Sequence, residues 1–168
     1  MFTKLMLTLA TAALVSGCVE ATQVATPFNA AEVAYINKTG PAKITGQGFV
    51  RLTNGMVITC AGTEVALVPA GSYAKERITA LYGSVGGGHM PVSQPISVAN
   101  SPPDYATMRR VTVCDAGGNF EFAGVADGEY YVMTTVQWVP RPGLPPEGGR
   151  MIRLVRITDG NSLRVILN

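Results

Sequence analysis

Apolar and polar positions alternate along most of this chain in short runs, and Gly, Pro, Asn and Asp punctuate the runs. A period of two is that of a strand with one face turned inward. In KITGQGFVRLTNGMVITC the pattern predicts strands over 44–52 and 56–60, joined by Thr53-Asn54-Gly55, because Asn-Gly accepts the positive φ of a tight hairpin turn. TEVALVPA sets Val65 and Leu67 between Ala66 and Val68, which suits a strand covered on both faces until Pro69 ends it. SYAKERITALYG breaks the period: Ala74, Ile78, Leu81 and Tyr82 follow helical spacing, Ser72 is placed to cap and Gly83 to close. Tyr73, Glu76 and Arg77 fall on what should be its solvated face.

Residues 83–104 carry glycines and prolines without period and read as a long surface excursion outside the core. Strand patterning resumes in YATMRRVTVC, FEFAGV, EYYVMTTVQWV, RMIRLVRI and SLRVIL, with turns at 115–119, 126–128 and 158–161 and a Pro/Gly loop over 140–149. About eight short strands with one helix among them predict a mainly β chain folded as an antiparallel β-sandwich. Residues 18–42 show no sustained period and read as a tether with a short ordered piece around AAEVAYI, so the body is expected over 43–168.

The first residues are different in kind. MFTKLMLTLATAALVSGC places one lysine before an uncharged run and small residues before Cys18, the form of an export signal and too short to span a bilayer stably. Val15-Ser16-Gly17-Cys18 resembles the bacterial lipobox. That resemblance implies a signal peptide over 1–17, cleavage before Cys18, and acylation of its thiol and amine, each buried methylene contributing about 0.8 kcal/mol to anchoring. Val19-Glu20, lacking the aspartate that retains such proteins in the inner membrane, implies the outer membrane facing the periplasm.

Without Lys4 the charges are 12 basic against 11 acidic, so no bulk field draws nucleic acid to the chain. In an oxidising compartment Cys60 and Cys114, each ending a strand-like run before a Gly-containing turn, are read as a disulfide in preference to two buried free thiols. Two cysteines and the single His89 have no metal-ligand spacing, and no cofactor is expected.

Gly118-Asn119-Phe120-Glu121-Phe122, then Val125, Asp127-Gly128 and Tyr130-Tyr131-Val132, resembles the carboxypeptidase regulatory-like domain, though the proline usual before its Gly-x-Tyr element is missing. The resemblance implies a transthyretin-like Greek-key sandwich over about 43–168, with the helix and the 83–104 loop inserted. Relatives with iron or zinc chemistry need histidines that this chain lacks, and related adhesin repeats with Lys-Asn isopeptides would require Lys43 beside Asn168. There is no Gly-x-Ser-x-Gly to pair with His89, so the chain is expected not to be an enzyme. The expected function is a non-catalytic binding or assembly module of the envelope, with a protein or cell-envelope partner, and the alternative is a glycan or peptidoglycan binder. Candidate surface residues are His89 in the long loop, Trp138 with the tyrosines for a glycan, and Arg153 and Arg156 for a partner or anionic headgroups. Strand parity sets Arg150 and Arg156 on one face and Arg153 on the other.

Overall fold

A computed structural model describes residues 21–168; Cys18 and the expected signal lie outside the described residues. Nine strands and two helices succeed one another as β1 (Thr39–Arg51), β2 (Val57–Thr59), β3 (Glu64–Pro69), α1 (Ser72–Tyr82), β4 (Gly87–Pro91), α2 (Pro103–Thr107), β5 (Arg110–Val113), β6 (Asn119–Val125), β7 (Gly128–Trp138), β8 (Glu147–Ile157) and β9 (Leu163–Leu167). They form a β-sandwich whose named strand pairs are antiparallel except for β9 on β1. One sheet runs β2-β1-β6 with β9 also on β1; the other runs β4-β8-β7-β3-β5.

The core lies where the period of two said it would. Phe120 and Phe122 of β6 pack edge to face, 6.3 Å between centroids, and bury with Tyr130, Val132 and Val136 of β7 between the sheets. β3 is buried on both faces: Val65 and Leu67 enter this core, while Ala66 and Val68 enter a second cluster beneath Ala74 and Ile78 of α1. Fully burying a side chain of the Val, Leu or Phe class contributes about 1.5–3 kcal/mol, so these alternations suffice to set the layers.

Cys60 and Cys114 are bonded, with Cα atoms 5.7 Å apart. The bond ties the end of β2, in one sheet, to the end of β5, in the other. Gly48 makes room for it, since a Cβ there would fall 2.8 Å from the Cys60 sulfur. The turn after Cys114 closes on Asp115, whose carboxylate accepts the amides of Gly117 and Asn119, each at 2.8 Å. Asp127 links two turns, accepting the Asp159 and Gly160 amides, each at 2.9 Å.

Three expectations need correction. The segment read as a tether is folded over its described part. The ordered piece expected around AAEVAYI is present, with Val33 and Ile36 buried, but the order extends to both sides of it: β1 begins at Thr39 and Thr22 bridges Val98. Its polar, aperiodic sequence hides this because it docks through backbone amides: Ala25 and Thr26 donate to the Glu76 carboxylate at 2.7 and 2.9 Å. The start of α1 is held from the same segment. Glu32 Oε1 accepts the Ser72 amide at 2.9 Å and the Ser72 hydroxyl at 2.7 Å, so Ser72 is the first helical residue and not a side-chain cap.

The 83–104 excursion, second, contributes to the sheet. β4 pairs with β8 from Gly87↔Arg153 to Pro91↔Gly149 and buries Met90, raising the strand number to nine. A glycine-rich edge strand carries too few side chains to show a period. Third, β9 runs parallel to β1, Ile44 opposite Leu163 and Gly48 opposite Leu167. That register places Lys43 and Asn168 at opposite ends of the pair, which removes the isopeptide geometry; Lys43 Nζ instead meets Glu121 at 3.0 Å.

Candidate functional site

The outer face of the five-stranded sheet is only partly covered by α1, and beside the helix it opens into a groove of about 490 Å³. Ala66 and Val68 of β3 and Met133 of β7 form an apolar floor. Arg77, Ile78 and Tyr82 of α1 stand on one side, Tyr105 of α2 with Ser101 and Arg109 on another, and Arg150 of β8 closes an end.

The segment before β1 backs one wall. Phe28 packs edge-on against Tyr73 and Tyr105, with centroids 6.0 and 5.9 Å apart, and Tyr73 meets Tyr105 at 4.9 Å. Arg77 lies over the Tyr105 ring, 5.2 Å from its centroid, and donates to Ser101 Oγ at 2.8 Å and Tyr73 Oη at 3.4 Å. The Tyr73, Glu76 and Arg77 face of α1 is therefore not the solvated face the helical period implied. Tyr73 is 4% exposed, and all three residues are engaged by the segment before β1 or by the wall around α2. Helical spacing assigns a polar residue to water unless another element supplies its partners, and here that element lies about 50 residues earlier.

The tyrosine hydroxyls divide by use. Tyr35, Tyr130 and Tyr131 donate to the backbone carbonyls of Glu129, Ala126 and Val85 at 2.5, 2.8 and 2.8 Å. Burial pushes each of these three phenols up to about 12. Tyr82 and Tyr105, both in the groove, make no hydroxyl hydrogen bond to any described residue. Burial raises their pKa as well, partly offset by Arg150 at Tyr82 and by Arg77 at Tyr105, so both stay protonated donors at neutral pH.

The residues singled out from sequence do not meet at this groove. His89 is exposed on β4, not in a loop, and two register positions from Gly87↔Arg153 it shares with Arg153 a second cleft of about 310 Å³, closed by Ile166 and Leu167 of β9 with Asn168. Its ring occupies the space over Gly149, where a Cβ would fall 1.7 Å from Nε2. Ser84 also lines this cleft. Arg156 lies on the opposite face and bonds Glu129 at 2.5 and 3.1 Å, which also takes Lys75 at 2.6 Å; Lys75 first and Arg156 second hold that carboxylate below the usual range. Trp138 ends β7 opposite Glu147, half-buried and away from the groove tyrosines. Arg150 and Arg156 do share the outer face, as parity required. Among the described residues there is no group of three or more His, Cys, Asp or Glu placed to hold a metal.

Sequence reading sets Arg77 on a solvated helix face, counts Arg109 and Arg150 only among scattered basic positions of the strands, and names neither Tyr82 nor Tyr105 for a site. These residues come from α1, α2, the link between α2 and β5, and β8, and no local motif unites them.

No protein-family model matches the chain, and no curated protein matches it. Among solved structures, the crystal structure of a candidate carbohydrate-binding protein from Pseudomonas aeruginosa is similar, with a TM-score of 0.69 and 26% identity, covering 84% of this chain and 97% of that one. The β-sandwich described above is thus an architecture that the Pseudomonas aeruginosa protein shares over nearly its whole length.

Proposed function

We propose that this chain is a non-catalytic lipoprotein of the bacterial envelope, anchored through Cys18, whose outer-face groove binds a saccharide. The observation that carries the reading is the groove itself: an apolar floor beneath two tyrosine hydroxyls with no partner among the described residues. Saccharides present both an apolar C–H face and dense hydroxyls, and a concave site with few, placed polar groups suits them. The similarity to a candidate carbohydrate-binding protein supports the same class of ligand. The Gly118–Val132 signature supports kinship with carboxypeptidase regulatory-like domains, which often serve as appendages without chemistry of their own.

The lipobox supports the anchor, and Val19-Glu20 supports outer-membrane placement facing the periplasm. Because Thr22 is docked on Val98, only three residues separate it from Cys18, a reach of roughly 14 Å when extended. The groove would then work close to the membrane surface and not at the end of a long tether.

Two measurements test the reading. Calorimetric titration of the purified protein with an oligosaccharide panel should find a binder, and Met133→Trp, which fills the floor, should abolish binding without lowering the melting temperature by more than a few degrees. Binding that survives Met133→Trp would place the site elsewhere. Globomycin should cause accumulation of the uncleaved precursor, and Cys18→Ala should be released by carbonate wash; continued processing, or retention of that variant, would refute the anchor.

A further inference from the structure

The charge of the groove is one-sided. Three arginines line it, Arg77, Arg109 and Arg150, against Glu64 as the one acidic lining residue. Arg109 meets that carboxylate at 2.9 Å. The other two guanidiniums bond only neutral acceptors: Arg77 the Ser101 and Tyr73 hydroxyls, Arg150 the carbonyls of Pro91, Val92 and Gln94 at 3.3, 3.3 and 3.0 Å. Both are half-buried, and neither has a carboxylate partner among the described residues. Arg77 Nε and Nη2 donate to no described residue.

A guanidinium carries five donors in a planar fork, and a cation removed from bulk water without an anion beside it attracts one strongly. Of the groove's three positive charges, Glu64 compensates one. What remains is two cations flanking an apolar floor and two phenol donors, a set that favours a ligand bearing negative charge on a ring of modest polarity.

We propose that the saccharide taken by this groove is acidic, a sugar bearing a carboxylate, read by the Arg77 and Arg150 guanidiniums while Tyr82 and Tyr105 donate to its hydroxyls. This rests on the reading of the groove as a saccharide site. A carboxylate fits better than a phosphate because each free guanidinium has already committed part of its fork to neutral acceptors, and what is left matches two oxygens and a single charge.

The test compares trigalacturonate with its methyl ester, which keeps the rings and removes the charge. Calorimetry on the mature protein should show the acid binding at least tenfold more tightly than the ester at low salt, with the ratio shrinking as salt is raised. Arg77→Gln should weaken the acid about tenfold, equal to 1.4 kcal/mol, and change ester binding less than twofold. Arg77→Lys, which keeps the charge without the fork, should recover only part of the loss. Since Arg150 also braces the 91–94 turn, Arg150→Gln is judged together with its melting curve, and Arg77 carries the decision should that variant unfold. Equal binding of acid and ester would overturn the acidic ligand and leave the saccharide site standing. Tighter binding of galactose 6-phosphate than of galacturonate would overturn the carboxylate. Binding of neutral oligosaccharides alone would overturn the acidic ligand, and no binding of either kind would overturn both readings.

Discussion

Replacing Cys60 and Cys114 together by alanine should cost this sandwich at least about 4 kcal/mol. The bond closes a loop with a sequence separation of 54 and joins two different sheets. In the chain-entropy treatment a loop of that size removes about 14 cal/mol/K from the unfolded chain, or about 4 kcal/mol at 25 °C. Both residues are buried, at 0% and 4% exposed, so removing the two sulfurs also leaves a cavity, and the unfolded-state share of about 4 kcal/mol is a lower bound on the cost. For a domain of this size that predicts a fall in melting temperature of at least about 10 °C. Equilibrium urea unfolding of oxidised wild type, reduced wild type and the double variant gives the number directly. The slope with denaturant should also rise in both unbridged forms, because an uncrosslinked chain exposes more surface on unfolding. An unfolding free energy that changes by less than about 1 kcal/mol, or a mass measurement showing two free thiols in freshly isolated protein, would refute the reasoning.

Glu76→Gln should loosen the segment before β1 by weakening the acceptor for the Ala25 and Thr26 amides, and hydrogen exchange at those two amides should rise while exchange in β7 stays unchanged; unchanged exchange at both would show that Phe28 and Thr22 hold the segment without it. Acid should act on the same contact: hydrogen bonds from Thr26 and Ala25 depress the Glu76 carboxylate, so its contribution is complete above about pH 4.5 and is lost as pH falls through the lower folded value. In alkali, Tyr35, Tyr130 and Tyr131, held up near 12 by burial, stabilise the fold fully below about pH 10 and lose that contribution as pH rises through 12. Spectrophotometric titration should therefore show three phenols ionising late, and together with the rest once the protein is unfolded in denaturant; six phenols ionising together in the folded protein would contradict the burial. Gly149→Ala should displace the His89 ring and destabilise by about 1–3 kcal/mol, visible as a changed imidazole resonance and a lower melting temperature; an unmoved resonance would mean that the ring does not rest there.

The stretch from Asn119 to Val132 shows how much was legible from local pattern. Phe120, Phe122, Tyr130 and Val132 bury on one face because a strand turns successive side chains to opposite sides, and Asp127-Gly128 turns the chain because glycine accepts the φ of +155 found there. The helix and its Gly83 end, both faces of β3, and the opposed parities of Arg150 and Arg153 follow from similar short-range rules, while the pairing of Cys60 with Cys114 follows from compartment chemistry and from there being only two cysteines besides Cys18. β4 was not legible, since Gly87 and Gly88 leave almost no alternation to detect. Nor was the full extent of order before β1, because the Ala25 and Thr26 anchors are backbone amides and Phe28 and Glu32 find their partners on α1 and α2, far along the chain.

Sequence by itself determined the class of fold, because hydrophobic period and turn chemistry act over a few residues and need no knowledge of what lies across the core. Tertiary structure alone decided the site. Arg77 and Tyr105 sit 28 positions apart on separate helices, Arg150 a further 45 along on a strand, and only packing over the outer face of one sheet brings them to the same groove. The physical reason is one of range: alternation is a property of neighbours in the chain, whereas a binding site is a property of neighbours in space.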